Sequence, residues 1–432
     1  MTLSLDAWTE GSVAPTTHTI AIVRPKAAAK PEPVSTRLIR SLVHPERKAN
    51  LYEVQYSNDG ARLFVFGYPS GVLQFWDIAT GKELRRINTP AGYRGSAEYA
   101  KLSADWSTVF VPYEKSKVVR YEKDDKRDVR YEYEGEVLVY DAATGKPRPS
   151  LKPAPGRGVV NADLSPDGRK LIAVERSSYD RQERINDVTV LWDTKTAAAK
   201  PLGPGYGYAT FTSDSKHFAL CLTDHLANDS VLKLCDASGA DSFEFARVRD
   251  EHFSRPRFSP DGRLLVVAQS KGRIDKPGTL RLWDLQTRKE LASFKSGGAY
   301  PFLYLAYSPD SKLLAATDYK DAVHVWDLAT GKAVLEKSYA DRVKVWRVVF
   351  SPDGKRLAVG GAPKWDRGDD GDPDPQDMPQ PRVFLFDLSA PTAEPEIVIC
   401  PHGYLGGLAF SPDGKMLAVG GAGAVHLFDV TK

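Results

Sequence analysis

The sequence predicts an all-β fold, an eight-bladed β-propeller of four-stranded antiparallel blades, on three observations. First, a four-residue turn recurs eight times: SNDG at 57–60, SPDG beginning at 165, 259, 351 and 411, and the variants SADW at 103, TSDS at 212 and SPDS at 308. Second, each copy is followed, in phase, by a strand that ends on an aromatic residue or cysteine plus aspartate: Trp76-Asp77, Tyr140-Asp141, Trp192-Asp193, Cys235-Asp236, Trp283-Asp284, Trp326-Asp327, Phe386-Asp387 and Phe428-Asp429. Third, the aspartates at the third turn position (Asp59, Asp105, Asp167, Asp214, Asp261, Asp310, Asp353 and Asp413) are spaced by 46, 62, 47, 47, 49, 43 and 60 residues. A propeller repeat of four strands needs roughly 40 to 45 residues. The two long intervals therefore carry insertions.

Each element has a local reason. Serine caps the turn, proline presets φ and glycine eases the exit, which together specify a type I β-turn. The run before the turn, as in WRVVFSPDG, reads as inner strand A, and LAVGG or LLVVA after it as strand B. TLRLWD and AVHVWD read as strand C, and LATGK as a tight turn into outer strand D. Alternation and β-branched content fit strands, and nothing longer than a turn reads as helix. The eighth unit stops at 429–432, just after strand C, and residues 36–43 (TRLIRSLV) have the composition of its missing outer strand. Closing the ring with that segment removes a sheet edge that would otherwise invite aggregation, an expectation that makes 36–432 one domain. Residues 1–35, with Pro25, Pro31 and Pro33, read as an N-terminal extension or linker, with 19–23 (TIAIV) a candidate strand.

Composition narrows the partners. The net charge is +3, from 59 basic against 56 acidic residues, interleaved without a basic stripe, so no nucleic-acid partner is expected. The first basic residue is Arg24 and no apolar run reaches the length of a membrane span, so no membrane association is expected. Three cysteines, Cys221, Cys235 and Cys400, fit reduced thiols in a cytoplasmic protein better than a disulfide framework. A monomer is expected.

Catalytic signatures are scarce: there is no HExxH, no GxSxG and no phosphate-binding GxxxxGK followed by Ser or Thr. The three TGK strings ending at Lys82, Lys146 and Lys332 occupy turns between strands C and D, and the eight histidines show no metal-ligand spacing. No cofactor is expected. The loop at 364–381 gathers Asp366, Asp369, Asp370, Asp372, Asp374 and Asp377, a weak calcium candidate because Pro375 stands where an EF-hand would place glycine.

FSPDGKRLAVGG, VHVWDLATGKAV and RLWDLQTRKEL resemble the WD-repeat β-propeller family over about residues 36–432. The array is a degenerate member. The family's structural tetrad joins a histidine before strand A to an aspartate in the B–C turn, and no unit here shows both: blade six has Asp321 without that histidine, and blade eight has His402 without that aspartate. The resemblance implies a non-catalytic scaffold that presents one face of the ring to a protein or peptide partner. The alternative is a propeller enzyme such as a quinone-dependent dehydrogenase, which is also eight-bladed and repeats a turn like Asp141-Ala-Ala-Thr144-Gly145-Lys146. That family's docking motif ends in a tryptophan, which follows none of the three TGK turns.

In WD-type blades the B–C and D–A loops share a face, and the elaborations at 114–134, 176–187 and 364–381 are all B–C loops. Elaborating one face of a rigid scaffold is how loops acquire binding roles. Counting back three residues from the end of each strand A gives Glu53, Tyr99, Asn161, Tyr208, Arg255, Tyr304, Arg347 and Gly407, one per blade at a common height. Tyr and Arg dominate interface hot spots, so Tyr99, Tyr208, Arg255, Tyr304 and Arg347, with neighbouring Trp346 and Tyr404, are the predicted partner-binding residues. The competing role is a wedge between blades, whose truncation would cost roughly 3 kcal/mol or more; on the binding role, Arg255→Ala and Arg347→Ala leave the melting temperature nearly unchanged.

Overall fold

The structure, a computed structural model, describes residues 37–46, 49–68, 70–90, 100–123, 126–177, 187–224, 228–271, 278–296, 302–339, 343–363, 380–401, 403 and 405–431, without the side chains of 114–132 and 160. The 19–23 segment lies outside them. The described residues form eight four-stranded sheets, paired antiparallel throughout, and no helix. In blade one the order outward is strand A (Asn50–Tyr56), B (Arg62–Tyr68), C (Val72–Asp77) and D (Glu83–Asn88). Blade eight takes A (Leu408–Phe410), B (Met416–Gly420) and C (Ala424–Asp429) from one end of the chain, and strand D (Leu38–Val43) from the other. Val43 stands opposite Ala424 and Ser41 opposite His426, where the serine hydroxyl and His426 Nδ1 lie 2.9 Å apart.

The recurring turn is built on its serine and aspartate. In all eight copies the Ser or Thr hydroxyl donates to the aspartate Oδ1 at 2.5 to 2.7 Å, from Ser57–Asp59 to Ser411–Asp413. That Oδ1 also accepts the backbone N–H two residues on. The hydroxyl oxygen meanwhile accepts the N–H that opens strand B. An ionised carboxylate oxygen accepts the hydroxyl and the amide hydrogen together in charge-assisted bonds, stronger than those a neutral amide oxygen would make, which favours aspartate in every copy. The second mark works alike. Thr80, Thr144 and Thr330 donate hydroxyl and amide hydrogens to Asp77, Asp141 and Asp327, so the threonines of the three TGK strings cap turns.

These bonds make a pH prediction. Hydroxyl donors hold Asp59, Asp105, Asp214, Asp310, Asp353 and Asp413 below the ordinary carboxylate range. Arg148 first, then Thr144, brings Asp141 down to about 2. A carboxylate whose pKa is lower folded than unfolded stabilises the fold above its unfolded pKa, roughly 4, and loses that contribution as pH falls through the folded value. Urea unfolding is expected to show a first decline below about pH 6.5, where His426, held down to about 4 by burial, charges more readily unfolded than folded, and a second from about 4 towards 2 as the turn carboxylates protonate; no further decline between about 4 and 2 would refute this role for the turns.

The core is a ring of eight hydrophobic clusters, one at each contact between neighbouring blades. Phe64, Phe75 and Val109, for example, join blades one and two. At the centre the A strands line a cavity. At the seam between blades eight and one the backbones touch: Gly407 N–H donates to the Leu51 carbonyl at 2.8 Å. A Cβ on Gly406 or Gly420 would lie 2.2 or 2.3 Å from that oxygen, so glycine is required there by close approach.

Where the tetrad would sit, blade six substitutes a local network. The Asp318 carboxylate, 1% exposed, accepts the N–H groups of Lys320 and Ala322, both at 2.9 Å, and lies 3.2 Å from His324 Nε2. The His324 ring stacks on Trp326 with centroids 5.3 Å apart. Asp321, in the left-handed region at φ 63°, accepts the N–H of Val345 in blade seven at 3.2 Å. The B–C turn thus still ties one blade to the next, with the histidine supplied by strand C.

Blade two carries the long elaboration. Its B and C strands, Thr108–Lys123 and Lys126–Asp141, have sixteen residues each and stay paired up to Lys123 opposite Lys126. Relative to the B and C strands of blade one, the hairpin extends roughly 30 Å further at about 3.3 Å per residue.

Candidate partner-binding site

The site begins with a defect repeated in the A strands. In an unbroken strand, inner and outer faces alternate strictly. Here the ladder between strands A and B shifts register after Leu51, Val159, Phe302 and Val345, immediately before Glu53, Asn161, Tyr304 and Arg347. Blade five shifts between Ser254 and Arg257, leaving Arg255 and Pro256 unpaired. β-Bulges re-aim side chains, and these lie at the predicted ring height. Arg255 is further held at φ 54°, in the left-handed region, a conformation that costs a non-glycine residue about 1 kcal/mol.

The re-aimed side chains meet. A cavity of about 320 Å³ on the ring axis is lined by Glu53, Asn161, Tyr208, Arg255, Tyr304 and Arg347 from six different blades. The guanidiniums of Arg255 and Arg347 both stack on Tyr304, at 5.3 and 4.6 Å from its centroid. Arg347 Nε also donates to the Gly406 carbonyl at 2.7 Å, and Trp346 Nε1 to the Leu405 carbonyl at 2.8 Å, so both reach across to blade eight. Asn161 donates to the Gly207 carbonyl of blade four at 3.1 Å. Tyr208 and Tyr304 are half-buried and pack against the clusters between blades four and five and between blades six and seven. The two tyrosines therefore pack between blades and line the cavity at once. Arg347 is anchored and Arg255 is not, so of the two arginines Arg255 is the one whose truncation separates binding from stability.

Two predicted residues, Tyr99 and Tyr404, lie outside the described residues, as do all six aspartates of the 364–381 loop. Among the described residues no group of three or more His, Cys, Asp or Glu side chains could hold a metal ion.

Sequence counting missed a second tier of the same wall. Lys101, Asp163 and Arg257 also line the cavity. The signal was available, since each stands two residues beyond its blade's ring position and so on the same strand face. Arg257 reaches channel water yet is walled in by protein; burial lowers its pKa against the pull of Asp163, and Arg255 and Arg347 lower it further. Burial raises the pKa of Asp163, opposed by Lys101 and Arg257.

Eight closed blades with inner strands converging on an axial cavity define a β-propeller. The family profile "WD domain, G-beta repeat" matches residues 394–429. WD repeat and SOCS box-containing protein 1 of Xenopus tropicalis is 34% identical over 71 residues, 16% of this chain and 16% of that protein. Periodic tryptophan protein 2 of Arabidopsis thaliana is 26% identical over 161 residues, 36% of this chain and 17% of that one. The matched stretches thus span about a sixth of either relative. Among solved structures, the C-terminal WD40 domain of Sif2 superposes with a TM-score of 0.59 at 14% identity, covering 92% of this chain and 99% of that one, a likeness of fold. The profile match, the WD-repeat relatives and the propeller fold together support a WD-repeat β-propeller family.

Proposed function

We propose that this chain is a non-catalytic scaffold that docks a protein or peptide segment on the B–C face of its ring, at the mouth built from Tyr208, Arg255, Tyr304 and Arg347, with Trp346 beside them. The observation that carries this reading is the convergence of two tyrosines and two arginines, from four blades, on one axial cavity through bulges in the strands of at least three. Propellers of this family generally serve as interaction scaffolds, which supports it. Tyr99 and Tyr404 belong to the same surface in this proposal, and the blade-two hairpin extends it outward. The three buried cysteines, none in a disulfide, support a cytoplasmic setting.

Arg255→Gly is the decisive variant. Glycine adopts the left-handed conformation freely, and relief of about 1 kcal/mol of strain offsets the entropy added to the unfolded chain. The melting temperature is expected to stay within about 2 °C of the unmodified protein, while recovery of the principal partner in affinity purification with mass spectrometry falls. Unchanged recovery with Arg255→Gly and with Tyr208→Ala would overturn the docking surface.

A further inference from the structure

Four cations and two carboxylates line the axial cavity: Lys101, Arg255, Arg257 and Arg347 against Glu53 and Asp163. Among the described residues none of the four cations makes an ion pair. Arg255 has the Tyr304 ring, Arg347 the same ring and the Gly406 carbonyl, and Arg257 a carbonyl contact to adjacent Pro256 at 3.3 Å. Stacking uses the face of a guanidinium and leaves its edge N–H groups free to donate. Asp163 attracts both Lys101 and Arg257 but pairs with neither, and like charges confined between protein walls raise one another's energy. A cleft with an excess of one sign focuses its field on the axis and concentrates counter-ions there.

We propose that this cavity is a binding site for an oxyanion, a carboxylate or a phosphate, received by Arg255, Arg257, Arg347 and Lys101. The tetrahedral or planar oxygens accept from the free guanidinium edges, and Asp163 sets the strength by withdrawing part of the positive field. The site deepens the docking reading above and rests on it for the source of the anion, an acidic or phosphorylated side chain at the tip of the docked segment.

Calorimetry on the full chain tests it with two probes at matched ionic strength in sodium chloride: inorganic phosphate, and a capped Gly-Glu-Glu-Gly peptide. Phosphate is expected to bind saturably at one site. Arg257→Gln should weaken it at least about tenfold, the loss of one charge-assisted donor, and the near-isosteric Asp163→Asn should tighten it. A structural defect would not move the two variants in opposite directions, and thermal melts of both establish that each is folded. Absence of saturable phosphate binding, or equal affinity in the unmodified protein and both variants, overturns the proposal. Competition between peptide and phosphate supports an anion carried by a partner. Phosphate binding without peptide binding also supports the oxyanion site, with a free anion as its source, and it is then the docking reading that fails.

Discussion

Removal of residues 1–45 is expected to convert the protein into an aggregating species, whereas removal of 1–30 leaves its melting temperature unchanged. The difference is strand Leu38–Val43, the outer strand of blade eight. Without it, Ala424–Asp429 becomes an unpaired edge on a full-length sheet, a template for pairing with another molecule. The strand also fastens blade eight to blade one. Arg40 Nη1 donates to the carbonyls of Ile78 and Ala79 in blade one at 3.1 and 3.2 Å. Leu42, only 2% exposed, sits in the cluster that joins the two blades, beside Leu51, Val425 and Leu427. Leu42→Ala alone is expected to cost about 3 kcal/mol, the usual loss for emptying a leucine site in a packed core. Size-exclusion chromatography and thermal unfolding of the two truncations check the prediction, and equal melting temperatures would defeat it.

Asp318→Ala is expected to lower stability by about 3 kcal/mol, the largest loss from any single polar side chain in blade six. The carboxylate accepts two backbone N–H groups and faces the His324 ring, and alanine would remove this acceptor from the buried Ala322 N–H and from the buried ring. Each stranded group costs about 1 to 3 kcal/mol, more when the missing partner was charged. Asp318→Asn separates the contributions. An amide oxygen still accepts from Lys320 and Ala322, so its loss should be smaller, about 1 kcal/mol. Urea unfolding of the two variants measures both, and an alanine variant no less stable than the asparagine one would show that the network contributes little.

Much of the fold was legible because both sequence marks are hydrogen-bonding devices with one chemical solution. A Ser-x-Asp turn that must satisfy a hydroxyl and two amides admits few substitutions, so it survives where the strands between have drifted. Six of the eight ring positions, which line the axial cavity, were placed for a similar reason, since every strand A is measured from that fixed turn. The Asp318–His324 pair was not, because it lies within one blade and uses a strand C histidine whose position looks like ordinary alternation. The bulges also left no sequence signal, as they depend on how each strand A fits strand B. Lys101, Asp163 and Arg257 could be counted from the same turns, but their joint meaning depends on the enclosure of the axis, which appears only once blades far apart in sequence face one another.

The seam also sets the timing of assembly. Ser41 and His426 are in contact across 385 positions of chain, and closing a loop of that length costs on the order of 5 kcal/mol in chain entropy. On the ribosome the outer strand of blade eight emerges before every other strand of the ring and waits for the rest of its sheet until the last blade has been made. Each blade can form its own hairpins as it appears, but the nascent ring stays an open arc with both ends exposed. Nucleation is therefore local and closure is the final, slow step, the interval in which a chaperone has most to protect.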